Sequence, residues 1–266
     1  MDAALEEIEF LARSKNRVEV LRLLAAGSHT RGSLGEATGA SQATLGRILE
    51  DFTERSWVRR EGREYAATAT GELVAEGIDE FLDILGTEAK LREVVKHLPA
   101  DAVGFDLRRL ADATVTVPSA TRPSAPLQRV LGVMGDAEEL RVFSHAFNEQ
   151  SLAVAHERVV TGEQTFEGVF SRSAIAVLAE EEALWRQVRE LAAAENARIR
   201  VREDDIPLAV TVAGGTVHLL VRDDGGLLQA SIDTDDEAIH SWAVGTFERY
   251  WEASTPFDPA SFVTEG

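Results

Sequence analysis

The chain contains no cysteine. That excludes a disulfide framework and every thiolate-held zinc or iron–sulfur site, zinc fingers and thiol redox motifs among them. It also lacks a run of about 18 apolar residues, the length a membrane-spanning helix requires. Its start, Met1-Asp2-Ala3-Ala4-Leu5-Glu6-Glu7, is acidic where a secretory signal is basic, so a cytoplasmic protein away from membranes is expected. His29, His97, His145, His156, His218 and His240 show no close ligand spacing, and no metal site is expected. No Gly-x-Ser-x-Gly elbow, P-loop or Gly-x-Gly-x-x-Gly occurs, so no catalytic residue is assigned and no cofactor is expected. Asp204-Asp205 and Asp233-Thr234-Asp235-Asp236 resemble paired carboxylates, yet in so acidic a chain they read as solvated turn and cap residues.

Basic charge is scarce as well: 27 Lys and Arg face 46 Asp and Glu, a net charge of −19. Taken whole, that balance argues against a polyanionic partner. Its distribution argues the other way. Between Arg13 and Arg63 there are ten basic residues against six acidic ones, which leaves that window at +4 and the remainder at −23. The only lysines are Lys15, Lys90 and Lys96. Acid-rich, arginine-dominated composition of this kind is similar to that of haloarchaeal proteins, which work in molar salt. There the Debye length is about 3 Å, so binding would rest on close contact and shape rather than on steering or counterion release.

At 266 residues the chain suits two domains. The stretch that organises the first is Thr30 to Phe52, TRGSLGEATGASQATLGRILEDF. Thr30 or Ser33 can cap a first helix, and Gly39-Ala40 suits a left-handed exit. Ser41 then caps a second helix, whose Leu45, Ile48, Leu49 and Phe52 follow i, i+3, i+4, i+7 and define a buried face. At 100° per residue Ala43, Gly46 and Arg47 fall opposite, flanked by Gln42 and Thr44. Small residues there admit a groove wall, and Gln42, Thr44 and Arg47 are side-chain types that read base edges or phosphate. The window alone also fits a helical hairpin with a solvated face, because helix-turn-helix spacing is loose. The next segment favours the motif: Trp57-Val58-Arg59-Arg60, a turn at Glu61-Gly62, and Arg63-Glu64-Tyr65-Ala66 read as a basic hairpin. Helix, turn, helix, hairpin is the order of a winged helix. The DNA-contacting residues expected from it are Thr30, Arg31, Ser41, Gln42, Ala43, Thr44, Arg47, Arg59, Arg60 and Arg63.

Residues 3–13 and 16–26 read as supporting helices. After the wing, a helical stretch from Thr68 to about Leu98, bent at Gly86, serves as connector, dimer contact or a helix packed on its own domain. Residues 101–110 can be helical and Thr114–Val117 strand-like. Pro118, Pro123 and Pro126 punctuate a loop taken as the joint between domains. Beyond it come strand Leu140–Ser144, helix Glu149–Val160, strand Gln164–Phe170 and a long helix Ser173–Glu195. Strands at 197–201, 208–212, 217–221 and 227–232 come next, then a helix Ala238–Ala253, with a frayed tail after Ser254. Trp185, Trp242 and Trp251 are expected in the core. The expected architecture is α+β: a winged helix-turn-helix DNA-binding domain (1–70), a connector and dimerisation helix with linker (71–125), and an α/β ligand-sensing domain (126–256).

On the residues Ala37-Thr38-Gly39-Ala40-Ser41-Gln42-Ala43-Thr44 with Trp57-Val58-Arg59-Arg60, and on Phe143-Ser144-His145-Ala146-Phe147-Asn148, Gly168-Val169-Phe170-Ser171 and Pro207-Leu208-Ala209-Val210, the chain resembles a known family. It is similar over nearly its whole length to archaeal winged-helix regulators, in their haloarchaeal branch, whose sensor half is the middle domain of the methanogenesis (filament) regulator. The element order of the second half also resembles a degenerate lobe of the phospholipase D fold, as in sugar-responsive archaeal regulators. That enzyme family needs His-x-Lys-x4-Asp, and the equivalent positions here read Pro207, Ala209 and Gly214, so phosphodiesterase chemistry is not expected.

For a ligand, Ser144, His145 and Asn148 follow a strand at the rim where α/β sheets gather ligands. Ser171 and Arg172 follow the next strand and can bind an anion at a helix N-terminus. A loop-capping role for His145 and an N-cap role for Ser171 fit equally well. The resemblance and the motif together imply a DNA-binding regulator, a homodimer on double-stranded DNA that responds to a small-molecule effector. An enzyme with an accessory winged helix, using His145 or Ser144, and a protein-binding winged-helix module are the alternatives.

Overall fold

Leu45, Ile48, Leu49 and Phe52 are all buried, and around them the N-terminal part of the chain closes. The computed structural model describes residues 1–99, 101–146, 149–223 and 225–262, and the chain divides into two units, Met1–Gly86 and Thr87 onward. The first unit runs α1 (Asp2–Ala12), α2 (Lys15–Ala26), β1 (His29–Thr30), α3 (Arg31–Thr38), α4 (Gln42–Glu54), β2 (Val58–Glu61), β3 (Glu64–Ala67) and the start of α5 (Ala69–Leu91). Leu11, Val20, Leu21, Leu24 and Leu34 complete the core beneath α4. Full burial of a side chain such as Phe52 contributes about 2–3 kcal/mol.

Local chemistry sets each boundary. Of the two candidate caps, Thr30 serves α3, its Oγ1 accepting from the Ser33 N–H at 3.1 Å. Gly39 exits at φ 70°, where a side chain would be strained. Ser41 Oγ accepts from the Thr44 N–H at 3.1 Å and starts α4. The wing turns at Gly62, φ 66°. It also carries a strand the sequence did not announce: β1 pairs antiparallel with β3, His29 opposite Tyr65, giving a three-stranded sheet in the order β1-β3-β2.

The second unit adds β4 (Thr114–Thr116), α6 (Ala125–Asp136), β5 (Glu139–Ser144), α7 (Glu149–Val160), β6 (Thr165–Ser171), α8 (Arg172–Ala179) and α9 (Glu182–Ala193). After these come β7 (Ala197–Arg202), β8 (Ala209–Ala213), β9 (Thr216–Arg222), β10 (Leu228–Thr234), α10 (Glu237–Glu252) and β11 (Thr255–Pro256). They form one 8-stranded sheet ordered β11-β7-β6-β5-β8-β9-β10-β4. β5, β6 and β7 run parallel, and the other pairings are antiparallel. Alternation along each strand sends residues to opposite faces. Phe143, Val210, Leu219 and Ile232 pack with Ile239 and Phe247 of α10. Leu140, Val142, Phe166 and Phe170 pack with Val130, Leu152, Ile175 and Val188 of α6 to α9.

Several expectations need correction. The 71–125 segment is not one connector: it divides at Gly86/Thr87, and Leu91, Val94, Leu98 and Leu110 lie in the core of the second unit, with β4 at its sheet edge. The helix expected to reach Leu98 ends at Leu91. Residues 101–110 give only a short 3-10 turn, Leu107–Leu110. Pro126, read as loop punctuation, sits in the first turn of α6, where its missing N–H costs nothing. The long helix after β6 is broken into α8 and α9 at Glu180-Glu181-Glu182. Consecutive negative charges oppose the C-terminal end of a helix dipole and favour the N-terminal end of the next. The tail is not frayed over its described part: Thr255 pairs with Val201, and the Phe257 and Phe262 rings lie 5.6 and 6.1 Å from that of Trp185. Trp185 is buried, while Trp242 and Trp251 are only partly so.

A buried carboxylate ties α6 to the sheet. Asp233 of β10 receives Arg129 Nε at 2.5 Å and lies 2.5 Å from Nδ1 of the wholly buried His218 on β9. Burial pushes the Asp233 carboxyl up, but the hydrogen bonds from His218 and Arg129 outweigh it and hold it below the ordinary range. A carboxylate depressed on folding adds stability that is fully present above its unfolded value and lost as pH falls through its folded one.

Two substitutions test this packing. At Gly71 in the first turn of α5, an added Cβ would stand 1.9 Å from the Trp57 carbonyl oxygen. Alanine ordinarily favours a helix interior over glycine by about 1 kcal/mol, yet here Gly71→Ala should lower stability by about 2 kcal/mol, the cost of overpacking against backbone. Urea unfolding measures it, and a variant as stable as the parent would show that close approach to be absent. Asp233→Asn should cost about 2 kcal/mol near neutral pH, and the deficit should shrink as both chains are unfolded at progressively more acid pH. A pH-independent deficit would mean that the charge at Asp233 contributes nothing.

Candidate functional site

The open side of α4 begins at its cap. Gln42, Ala43 and Arg47 are exposed, while Thr44 is half-buried with its Oγ1 2.9 Å from Ser41 Oγ. Thr30 and Ser41 face solvent, but their hydroxyls already serve as helix caps. Gln42 and Arg31 clasp each other: Gln42 Nε2 donates to the Arg31 carbonyl at 3.3 Å, and Arg31 Nη2 donates to the Gln42 carbonyl. Arg31 is therefore a strut between α3 and α4, its Nε buried without a partner among the described residues. It lies over Gly46, where an added Cβ would meet Arg31 Nη2 at 2.9 Å. Gly46 thus makes room for a guanidinium rather than opening the helix to a groove wall, which corrects the role expected of it.

In the wing, Arg59 pairs with Glu61 at 2.7 Å and also donates to the Ala67 carbonyl. Arg60 donates to the Gly62 carbonyl at 3.0 Å, with its guanidinium 5.6 Å from the Tyr65 ring. Arg63 is exposed at the turn. The other cations of the basic window are compensated: Arg13 by Glu9, Lys15 by Glu19, Arg17 by Asp51, Arg22 by Asp79 and Arg55 by Glu7. Arg17 and Arg55 also stack on Phe10, each 3.8 Å from its ring centre. Within the basic window Arg13 to Arg63, Arg31, Arg47, Arg60 and Arg63 have no acidic partner among the described residues, and all four stand on the helix-turn-helix or the wing.

In the second unit, a cavity of about 50 Å³ opens where the parallel half of the sheet meets the antiparallel half. Met134, Val142, Leu152 and Phe166 give it apolar walls, and Ser144, Thr211 and Arg222 supply polar groups. Ser144 is buried, its Oγ donating to the Ala146 carbonyl at 2.7 Å. His145 stands beside it, half-buried, with Nδ1 lacking a partner among the described residues. Burial and the nearby Arg222 charge lower the His145 pKa, which keeps the ring neutral at neutral pH. Asn148 lies outside the described residues. Ser171 and Arg172 do not line the cavity: Ser171 Oγ caps α8, and Arg172 is held on both carboxylate oxygens of Glu203 at 2.7–2.9 Å, over the Phe262 ring. Pro207, Ala209 and Gly214 lie just before β8, at its first residue and in the turn after it, and bring no nucleophile or cation there.

Arg222 is the residue that sequence reasoning missed. It ends an apolar strand, and only the return of β8 and β9 brings it to the carboxyl end of β5, since Val210 faces Phe143 while Ala209 faces Leu220. No spacing in the sequence carries that juxtaposition.

A family model described as HVO_A0261 N-terminal domain matches residues 5–90, and one described as methanogenesis regulatory protein FilR1, middle domain, matches residues 123–253. None of the curated proteins compared matches the sequence. Among solved structures, the chain is similar to the archaeal chromatin protein TrmBL2 at a TM-score of 0.42 and 11% identity, covering 94% of this chain and 98% of that one. A phospholipase D family member, Nuc from Salmonella typhimurium, is matched at a TM-score of 0.43 and 13% identity, over 55% of this chain and 98% of that one. NucT from Helicobacter pylori gives a TM-score of 0.42 at 13% identity, with 55% and 98% covered. At these scores the likenesses say nothing about activity. The two family matches account for most of the chain, in the order the winged helix and the sheet unit take: it belongs to the archaeal, haloarchaeal-type winged helix-turn-helix transcription regulators that carry a FilR1 middle domain.

Proposed function

We propose that this regulator binds double-stranded DNA through α4 and the wing, as a homodimer, and that its sheet unit responds to a small-molecule effector without catalysing a reaction. The observation that carries this is the placement of uncompensated charge. In a chain of net charge −19, the cations without acidic partners in the basic window are Arg31, Arg47, Arg60 and Arg63. Arg47 and Gln42 project from the start of α4, where side chains of a recognition helix meet base edges, and Arg60 and Arg63 suit phosphate. Arg31 adds positive charge at the α4 N-terminus while its hydrogen bonds hold α3 and α4 together.

Dimerisation is supported by α5. Leu73, Phe81, Ile84 and Leu85 are exposed at 68%, 45%, 41% and 44%, at spacings that gather on one side of a helix. Exposed apolar stripes of this kind ordinarily meet a partner. The composition supports work at molar salt, where short-range contacts decide affinity.

The test uses the full chain and the tightest duplex it selects from a random pool, with affinity measured by fluorescence anisotropy in molar KCl. Arg47→Ala should cost about 1–3 kcal/mol and relax the preference at one base-pair position, whereas Arg63→Ala should weaken all sequences alike. Affinity unchanged in both variants would sink the assignment of α4 and the wing.

A further inference from the structure

We propose that Arg31, Gly35 and Gly46 hold the Gln42 side chain as a preset reader of adenine in the major groove. The proposal rests on α4 being the DNA-reading helix and names the base that its first residue selects.

The clasp between α3 and α4 has two arms. Gln42 Nε2 donates to the Arg31 carbonyl at 3.3 Å, and Arg31 Nη2 donates to the Gln42 carbonyl. Each arm passes over a glycine. A Cβ added at Gly35 would stand 2.9 Å from Gln42 Nε2, and one added at Gly46 would stand 2.9 Å from Arg31 Nη2. Both glycines lie inside helices, and neither takes a positive φ. Alanine would suit either helix better by about 1 kcal/mol, so no backbone demand accounts for them. What they provide is room for the two side chains.

A carbonyl accepts only from a donor, so the first arm decides which end of the Gln42 amide turns inward. One of its two N–H groups is used there. The exposed remainder is one acceptor, Oε1, and one donor on the same planar group. Among the edges that bases present in the major groove, adenine is the complement, with its N6 amino group as donor and N7 as acceptor. Guanine offers two acceptors, cytosine a donor alone, and thymine an acceptor beside a methyl group. A free glutamine can turn its amide to suit other edges; here that turn breaks the bond to Arg31. The tether also removes, before binding, rotamer freedom that the side chain would otherwise lose on DNA.

The test uses the full chain and the duplex it selects from a random pool, with affinities measured by fluorescence anisotropy in molar KCl. Gln42→Ala locates the base pair, as the position at which preference relaxes. There the parent should favour adenine at least about fivefold over each other base. Replacing that adenine by 7-deazaadenine, which lacks the N7 acceptor, or by purine, which lacks the amino group, should weaken the parent and leave Gln42→Ala unmoved. Gly35→Ala is the decisive variant: its methyl crowds only the far end of the Gln42 side chain, while Leu45 and Ala40 stay at ordinary contact distance. It should be at least as stable to urea as the parent, yet its preference for adenine should fall about threefold or more. Added to Gln42→Ala, it should change no preference. Arg31→Met, which removes the second arm, should lower the same preference, a ratio that the uniform loss of one positive charge does not alter. Should Gly35→Ala unfold, that ratio in Arg31→Met decides. A base other than adenine at the Gln42 position, no position that responds to Gln42→Ala, indifference to 7-deazaadenine, or an unaltered preference in Gly35→Ala would overturn the proposal. If Arg47→Ala and Arg63→Ala weaken binding while these preferences fail, the DNA-binding reading stands and this inference falls. Selection of no duplex would overturn both.

Discussion

The direction in which α4 faces depends on a short turn, in which Gly39 takes a left-handed backbone and Ser41 then captures the Thr44 N–H. The turn fixes the rotational phase of the helix. From there Leu45, Ile48, Leu49 and Phe52 fall on the core side, and Gln42, Ala43 and Arg47 on the solvent side. A shift of one residue in the cap would turn the stripe by 100° and bury a charge. The Arg31–Gln42 clasp reinforces the same phase from outside the core, because each side chain bonds the other's backbone. Core packing, capping and charge placement agree on one orientation, which is how a sequence specifies a unique surface.

Acidity elsewhere gives that surface its contrast. Most cations in the N-terminal unit are consumed by ion pairs that bind its elements together: Arg17 reaches Asp51 on α4, Arg55 reaches Glu7 on α1, and Arg22 reaches Asp79 on α5. Reached by solvent, such pairs contribute modestly each, but they decide where net positive charge is left over. The remainder, Arg31, Arg47, Arg60 and Arg63, stands on α3, α4 and the wing.

The winged helix was legible because its signals are local. Caps, a glycine at a positive φ and an i, i+3, i+4 stripe all operate within a few residues, and the structure obeys them nearly to the residue. The sheet unit was legible in its strands and in α10, less so where distant pairing decides. β1 is too short to show an alternating pattern and exists because β3 passes beside it. Pro126 resembled a loop signal because proline suits both a turn and a first helical turn. The apolar stripe of Ile175 and Leu178 resumes in phase at Trp185 and Val188 beyond Glu180-Glu181-Glu182, so periodicity joined two helices that charge separates. For the candidate ligand site, Ser144 was findable as the end of a strand. Arg222 and Thr211 reach the same wall only through strand registers that no single segment encodes.

The proposed DNA and effector sites meet a common physical demand if the protein works in molar salt, as its composition leads us to propose. Screening at that ionic strength removes attraction beyond about 3 Å, so neither site can recruit its partner from a distance, and chloride competes for every exposed guanidinium. Two solutions escape the screening. At α4 and the wing, several short contacts act together, and shape selects the arrangement. In the sheet unit Arg222 stands half-buried at the edge of an apolar wall, where the local dielectric is lower than at the open surface.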